Sequence, residues 1–219
     1  MRTIDLFAGC GGLSLGFELA GFDVMAAYDF WQPAVNTYKL NFAHPIEQAD
    51  LSDVEVQKRI RDLRPELIVG GPPCQDFSSA GKRNEDLGRG DLSVTFAEIV
   101  ALCQPRYFMM ENVGRIVKSR KLQEVKDILK NAGYKMFGTV LDASLCGVPQ
   151  ARKRFFLIGS KKLNPVMLES IIQKNISSKH MTVRDYMGQE LDVEHYYRHP
   201  RSYVRRGIFS IDEPSPTIR

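Results

Sequence analysis

Cys74 stands behind two prolines in Gly70-Gly71-Pro72-Pro73-Cys74-Gln75-Asp76-Phe77-Ser78, directly after the apolar run Leu67–Val69. The prolines restrict the backbone and hold the thiol in one direction, at a strand end open to whatever binds above it. A thiolate so placed is suited to nucleophilic catalysis. The competing reading, a buried structural thiol, is the commoner fate of a free cysteine. It is assigned to Cys10, Cys103 and Cys146, which lack such a loop. Glu111 closes the apolar run Tyr107-Phe108-Met109-Met110. A carboxylate at that depth needs a partner or a task, and a structural Glu–Arg pair would serve as well as catalysis. In Pro149-Gln150-Ala151-Arg152-Lys153-Arg154, Arg152 and Arg154 fall two residues apart on one face of an incipient strand. Basic residues at such a place are also ordinary surface.

A second constellation suits ligand binding. Ile4-Asp5-Leu6-Phe7-Ala8-Gly9-Cys10-Gly11-Gly12-Leu13 is a strand, a glycine turn and a helix start. Glycine permits close backbone approach and positive φ, and a helix N-terminus offers free N–H groups. The pattern is G-x-G-G, not the dinucleotide G-x-G-x-x-G, which disfavours pyrophosphate. Asp29 follows at the end of the next strand and Asp50 at the end of a further short segment. Nucleotide-binding α/β folds put a carboxylate there on ribose hydroxyls. The glycines alone read equally well as a tight turn; with the acids they favour an adenosine ligand.

Positioning these residues falls to short apolar runs alternating with amphipathic stretches. Runs at Thr3–Phe7, Val24–Tyr28, Leu67–Gly70, Tyr107–Glu111, Met136–Leu141 and Phe155–Gly159 predict buried strands. Val56, Ile60 and Leu63 recur at helical spacing behind a capping box of Ser52 and Glu55. Leu92, Phe96, Ile99, Val100 and Cys103 form a second stripe, and Leu122, Val125, Ile128 and Leu129 a third. Strand–helix alternation predicts an α/β fold with a doubly wound, mainly parallel sheet, whose ligands sit beyond the carboxyl ends of the strands. After residue 159 the pattern decays. Residues 1–160 are read as the catalytic domain, and 161–219 as a linker with an Arg-, Pro- and Ser-rich tail, which the resemblance given below makes the incomplete start of a target-recognition region. The stretch from Ser78 to Asp91, with Gly81, Gly88, Gly90, Lys82, Arg83 and Arg89, suits a lid that closes over substrate and touches phosphates.

Composition narrows the class. With 43% hydrophobic and 26% charged residues the chain of 219 is an ordinary globular protein, and its apolar runs fall well short of the ~20 residues that span a bilayer. No signal peptide is read at the N-terminus, and widely spaced cysteines argue against disulfides or zinc, so a reducing cytoplasm is expected. Residues 1–112 carry 10 Lys/Arg against 16 Asp/Glu, and residues 113–219 carry 20 against 10. That basic second half permits a polyanionic partner without demanding one.

Taken together, FAGCGG, Asp29, Asp50, GGPPCQDFS, the Gly90–Leu92 stretch, ENV and QARKR resemble, in order and over residues 2 to about 160, the C5-cytosine DNA methyltransferase family of bacterial restriction-modification systems. The resemblance implies the Rossmann-like fold of S-adenosylmethionine-dependent methyltransferases, with S-adenosyl-L-methionine as cofactor and double-stranded DNA as partner. It implies that Cys74 adds to carbon 6 of a flipped-out cytosine, that Glu111 engages ring nitrogen 3, and that Arg152 holds the carbonyl oxygen while Arg154 and Asn112 brace the loop. It places Phe7, Gly9, Gly11, Gly12, Asp29, Phe30, Asp50, Pro72 and Leu92 around the cofactor. Family members continue into a target-recognition region, an arginine-rich segment and a closing helix. Their lack here implies either a truncation or a split enzyme whose second polypeptide carries them. Two rivals stay open: methylation of cytosine in transfer RNA, and a catalytically silent DNA-binding fragment.

Overall fold

The computed structural model describes residues 1–73, 92–162, 164–188, 190–199 and 207–217. It divides into two compact units, one of residues 1–139 and 155–165, the other of residues 140–154 and 166–219. The stretch 140–154, read from the sequence as part of the first domain, thus groups with the second.

The first unit holds most of a seven-stranded sheet, of which residues 140–142 and 153–154 fall in the second unit. Its strands are β1 (Arg2–Leu6), β2 (Asp23–Asp29), β3 (Ile46–Gln48), β4 (Leu67–Gly70), β5 (Tyr107–Val113), β6 (Lys135–Asp142) and β8 (Lys153–Ser160), in the order β3-β2-β1-β4-β5-β8-β6. β1 pairs in parallel with β2 and β4, β2 with β3, and β4 with β5. The chain runs outward from β1 to β3, then returns to place β4 on the other side of β1. The strand order therefore reverses between β1 and β4, where doubly wound sheets form a crevice beyond the strand ends.

Period-two alternation in the central strands assigns the faces. Ile4, Leu6, Ile68, Phe108 and Met110 enter the main core with Val56 and Ile60 of α3 (Val54–Asp62), Phe96, Ile99 and Val100 of α4 (Leu92–Cys103), and Val125 and Leu129 of α5 (Arg120–Asn131). On β1 the alternate residues Thr3 and Asp5 are buried as well, though polar. A smaller cluster holds Ala8, Ala27, Val35, Tyr38 and Ile46, with Val35 and Tyr38 from α2 (Gln32–Asn41). The remaining helix of this layer, α1 (Gly12–Leu19), starts directly after the glycine turn.

The start of α3 differs from the sequence expectation. Asp53, not Ser52, is its N-cap and accepts from the amide of Glu55 at 2.8 Å. Ser52 is engaged elsewhere, its amide and hydroxyl both donating to Asp50 Oδ1 at 3.0 and 2.6 Å.

The second unit is more ordered than its sequence pattern suggested. α6 (Pro165–Asn175) lies in the stretch read as linker, and α7 (Val183–Met187) begins with a capping box of Thr182 and Asp185. Strands β9 (His195–Tyr197) and β10 (Ile208–Ser210) pair antiparallel. β7 (Gln150–Ala151) pairs in parallel with β11 (Ser215–Pro216). Arg184 ties α7 to the rest of the unit, donating to Asp212 Oδ1 at 2.6 Å and also bonding Glu194. No helix among the described residues is long and apolar enough to cross a membrane.

Candidate active site

Four successive strand ends of the first unit meet at one cavity of about 330 Å³. Phe7 comes from the end of β1, and Asp29, Phe30 and Trp31 from the end of β2. Ala49, Asp50 and Leu51 follow β3, Gly71 and Pro73 follow β4, and Leu92 opens α4. The lining is mostly apolar and aromatic, with two carboxylates, and it adjoins the switch point where such folds bind ligands.

The glycine turn shapes this cavity from behind. Phe7 (φ 57), Gly9 (φ 56) and Gly11 (φ 94) all have left-handed backbone, an uncommon state for a phenylalanine. Gly9 donates its amide to Asp29 Oδ2 at 2.8 Å, while Trp31 donates its amide to Asp29 Oδ1 at 2.8 Å. Both Asp29 oxygens are thus held by backbone before any ligand arrives. At Gly11 a Cβ would lie 2.2 Å from Phe42 Cε2, so no larger residue fits against that ring. Of the residues expected around a cofactor, Phe7, Asp29, Phe30, Asp50 and Leu92 line the cavity, whereas Gly9, Gly11, Gly12 and Pro72 stand outside its lining. Sequence reading missed Trp31, Ala49, Leu51, Gly71 and Pro73. Each is the immediate neighbour of a residue it named, and extending every motif by one position would have found them.

Beside the cavity, β4 and β5 run in register with Gly70 opposite Met110, bringing Gly71 and Glu111 abreast. A Cβ on Gly71 would lie 3.4 Å from Glu111 Oε2, so the carboxylate abuts this glycine at the edge of the cavity. Gly70 is required for a different reason: a Cβ there would come within 2.5 Å of the Leu6 carbonyl oxygen. Asn112 is buried and donates its side-chain amide to the Pro72 carbonyl at 3.0 Å. Cys74 and the expected lid from Ser78 to Asp91 lie outside the described residues.

Arg152 and Arg154 belong to the second unit. Arg152 falls between β7 and β8, and its carbonyl accepts from the Ala143 amide at 3.0 Å. Arg154 donates through Nη1 to the Lys153 carbonyl at 2.8 Å. The residues just before Arg152 are anchored twice: Ser215 donates its amide to Pro149 O at 2.8 Å, and Thr217 Oγ1 donates to Ala151 O at 2.9 Å.

The other cysteines correct one expectation. Cys103 packs against the main core, and burial pushes its thiol up to about 12. Cys10 and Cys146, read as buried structural thiols, are exposed. Cys10 sits in the glycine turn and Cys146 follows a single 3₁₀ turn. No group of three or more His, Cys, Asp or Glu among the described residues is placed to hold a metal.

The sheet order, the glycine turn and the strand-end cavity define an α/β protein of the S-adenosylmethionine-dependent methyltransferase type. Comparison with known proteins narrows this. The family model described as C-5 cytosine-specific DNA methylase matches residues 1–210, and the chain belongs to that family. The Type II methyltransferase M.HgiDI of Herpetosiphon aurantiacus is 54% identical over 220 residues, covering 100% of this chain and 71% of the relative. M.HindV of Haemophilus influenzae is 55% identical over 220 residues, covering 100% and 72%. Among solved structures, a prophage-encoded DNA modification methyltransferase of E. coli superposes with TM-score 0.68 at 31% identity, over 94% of this chain and 62% of that one. Dnmt2 methyltransferase of S. pombe superposes with TM-score 0.70 at 21% identity, over 93% and 61%, and shares the fold.

Proposed function

We propose that this chain transfers a methyl group from S-adenosyl-L-methionine to carbon 5 of a flipped-out cytosine in double-stranded DNA, through a covalent adduct at Cys74. The observation that carries the reading is the cavity at the strand ends, which gathers aromatic rings, two carboxylates and the edge of the Pro-Pro-Cys loop beside Glu111.

The residues fit the cofactor. Phe7, Phe30 and Trp31 offer flat apolar surface to an adenine, while Asp29 and Asp50 offer acceptors to ribose hydroxyls. S-adenosylmethionine held there supplies an electrophilic methyl group. The chain's own residues prepare the base. Carbon 5 of cytosine is a weak nucleophile. Cys74, as thiolate, forms a bond to carbon 6, and the ring electron pair displaced by that bond gives carbon 5 enamine character. Glu111 holds a proton at ring nitrogen 3 and takes up the charge that the attack creates. Arg152 donates to the base carbonyl oxygen and stabilises the same charge. Once carbon 5 carries the methyl group, its proton passes to solvent water, the electron pair re-forms the carbon 5–carbon 6 double bond, and Cys74 leaves as thiolate. Because the base is inaccessible within a duplex, it must leave the stack. The basic second half supplies phosphate contacts, which position without reading sequence. In M.HgiDI the matching 220 residues form 71% of one longer chain, which lends no support to a separate second polypeptide.

The test is trapping. DNA with 5-fluorocytosine at the target cannot lose the final proton and should hold the protein covalently. Cys74→Ser should abolish both the adduct and methyl transfer, with S-adenosylmethionine binding nearly intact. Equal trapping by the serine variant would sink the assignment.

A further inference from the structure

Behind the glycine turn runs a buried polar chain that the proposed chemistry does not use. Ser14 Oγ donates to Asp5 Oδ2 at 2.6 Å, and Tyr38 OH donates to Ser14 Oγ at 2.7 Å. The Tyr38 hydroxyl also meets His44 Nε2, and His44 Nδ1 lies 2.9 Å from Glu18 Oε1. Asp5, Ser14 and Tyr38 are fully buried, while the side chains of His44 and Glu18 are 10% and 39% exposed. The chain therefore leads from the core to the surface. Asp5 Oδ1 is buried with no partner among the described residues.

Counting donors restricts its protonation. Each hydroxyl has one hydrogen to give. With Asp5 ionised, Ser14 donates to Asp5, Tyr38 to Ser14, and His44 must donate through Nε2 to Tyr38 and through Nδ1 to Glu18. With Asp5 protonated on Oδ2, every bond reverses up to Tyr38, which then donates to a neutral His44. Both arrangements satisfy every link, and both hold one proton between Asp5 and His44. Two protons leave one hydrogen without an acceptor, at Tyr38 or at Asp5 Oδ1, and none sets lone pair against lone pair at His44 Nε2 or, in the other tautomer, at Nδ1 facing Glu18. The chain also touches the turn. Ser14 lies in the first turn of α1, and a Cβ on Gly11 would fall 2.9 Å from Tyr38 Cε2.

We propose that Asp5, Ser14, Tyr38 and His44 form a relay that passes one proton between Asp5 and His44, coupling the charge beneath the Gly9–Gly12 turn to what occupies the neighbouring cavity. Burial pushes the Asp5 carboxyl up to about 7; its bonds from Ser14 oppose this and the charge of Asp29 adds to it. Asp29 lines the cavity. A ligand that donates to Asp29 or brings positive charge weakens that repulsion, ionises Asp5 and sends the proton to His44. Charged and titratable groups facing the relay are Asp29 from β2, Glu18 from α1 and Tyr38 from α2, while Val69, opposite Asp5 on β4, adds none. The cavity half of this inference rests on the cofactor reading above; the relay does not.

Nitrogen-15 NMR of the whole chain without cofactor tests the relay. Between about pH 6 and 8, the range through which the buried Asp5 carboxyl ionises, the His44 ring nitrogens and the amides of Gly9, Gly11 and Gly12 should respond together. Ser14→Ala and Tyr38→Phe should uncouple them, so that the glycine amides no longer follow the His44 ring nitrogens. Glycine amides that ignore His44 in the unmodified protein would overturn the relay without recourse to any variant, as would coupling that survives in both folded variants. The cofactor arm compares affinity for S-adenosylmethionine at the two pH values. A change of about threefold or more is expected in the unmodified protein and less than about 1.5-fold in Asp5→Asn, in line with loss of one titrating charge. Equal pH dependence in the two proteins would overturn the coupling. Because the spectra contain no cofactor, failure of the relay and failure of the methyltransferase reading are separately visible.

Discussion

Asn112 and Pro72, 40 residues apart in the chain, are joined by a 3.0 Å hydrogen bond from the Asn112 side-chain amide to the Pro72 carbonyl. Asn112 Oδ1 in turn accepts from the Val113 amide at 2.8 Å, so the side chain is held at both ends. The bond fixes the backbone two residues before Cys74, whose direction the proposed attack depends on.

Asn112→Ala should therefore slow chemistry more than binding. Removing the donor leaves a buried carbonyl unsatisfied, at a cost of about 1–3 kcal/mol. If part of that is felt only at the transition state, the single-turnover rate falls roughly tenfold or more. Cofactor affinity should stay within about threefold, since Asn112 does not line the cavity. Rapid-quench methyl transfer beside equilibrium binding separates the two effects.

Glu111→Gln keeps the shape beside Gly71 and removes the proton-holding group. A general acid–base step is worth about 10²–10⁴ in rate, and a loss of that order is expected. Measured methyl transfer within a factor of two of the unmodified protein would make Glu111 structural.

Asp29→Ala should weaken S-adenosylmethionine binding. The substitution removes an acceptor from the cavity and releases the amides of Gly9 and Trp31 together. Hydrogen bonds to a charged group are worth about 1.5–3 kcal/mol, so a loss of roughly tenfold to a hundredfold is expected. Calorimetric titration measures it, and DNA affinity in the same variant should change little.

Asp5 gives stability a pH dependence whose sign is fixed by its burial. Its folded-state carboxyl titrates near 7 against an ordinary value of 3.8. Counting Asp5 alone, between these values the unfolded carboxyl is ionised and the folded one protonated, so its contribution to stability falls as pH rises. Below about 4 the cost is absent, and above about 7 it is complete. Urea melts across that range should show the decline, and Asp5→Asn should flatten it.

The first unit was largely legible because its information is local and periodic. The apolar runs ending at Phe7, Tyr28, Gly70 and Glu111 became strands, and Phe7 with the residues just beyond Tyr28 and Gly70 supplied much of the cavity. What escaped depends on competition or on distance. Ser52 looked like a helix cap until Asp50 claimed it, and Asp53 took the place. Cys10 and Cys146 read as buried because a thiol favours the interior, yet their turns leave them uncovered. Tyr38, His44 and Glu18 carry no motif at all; only the folding of α1 and α2 around Asp5 brings them together. The single clue was an aspartate inside an apolar strand.

The pairing of β7 with β11 also sets a timetable. Thr217 reaches back 66 residues to Ala151, and the residue before Arg152 gains this anchor only when the end of the described chain has been made. At a synthesis rate of about 5–20 residues per second, that interval lasts roughly 3–13 s. All residues lining the first unit's cavity precede Ser93. On the ribosome the residues that line the cavity are therefore made first, and the arginine stretch is anchored last.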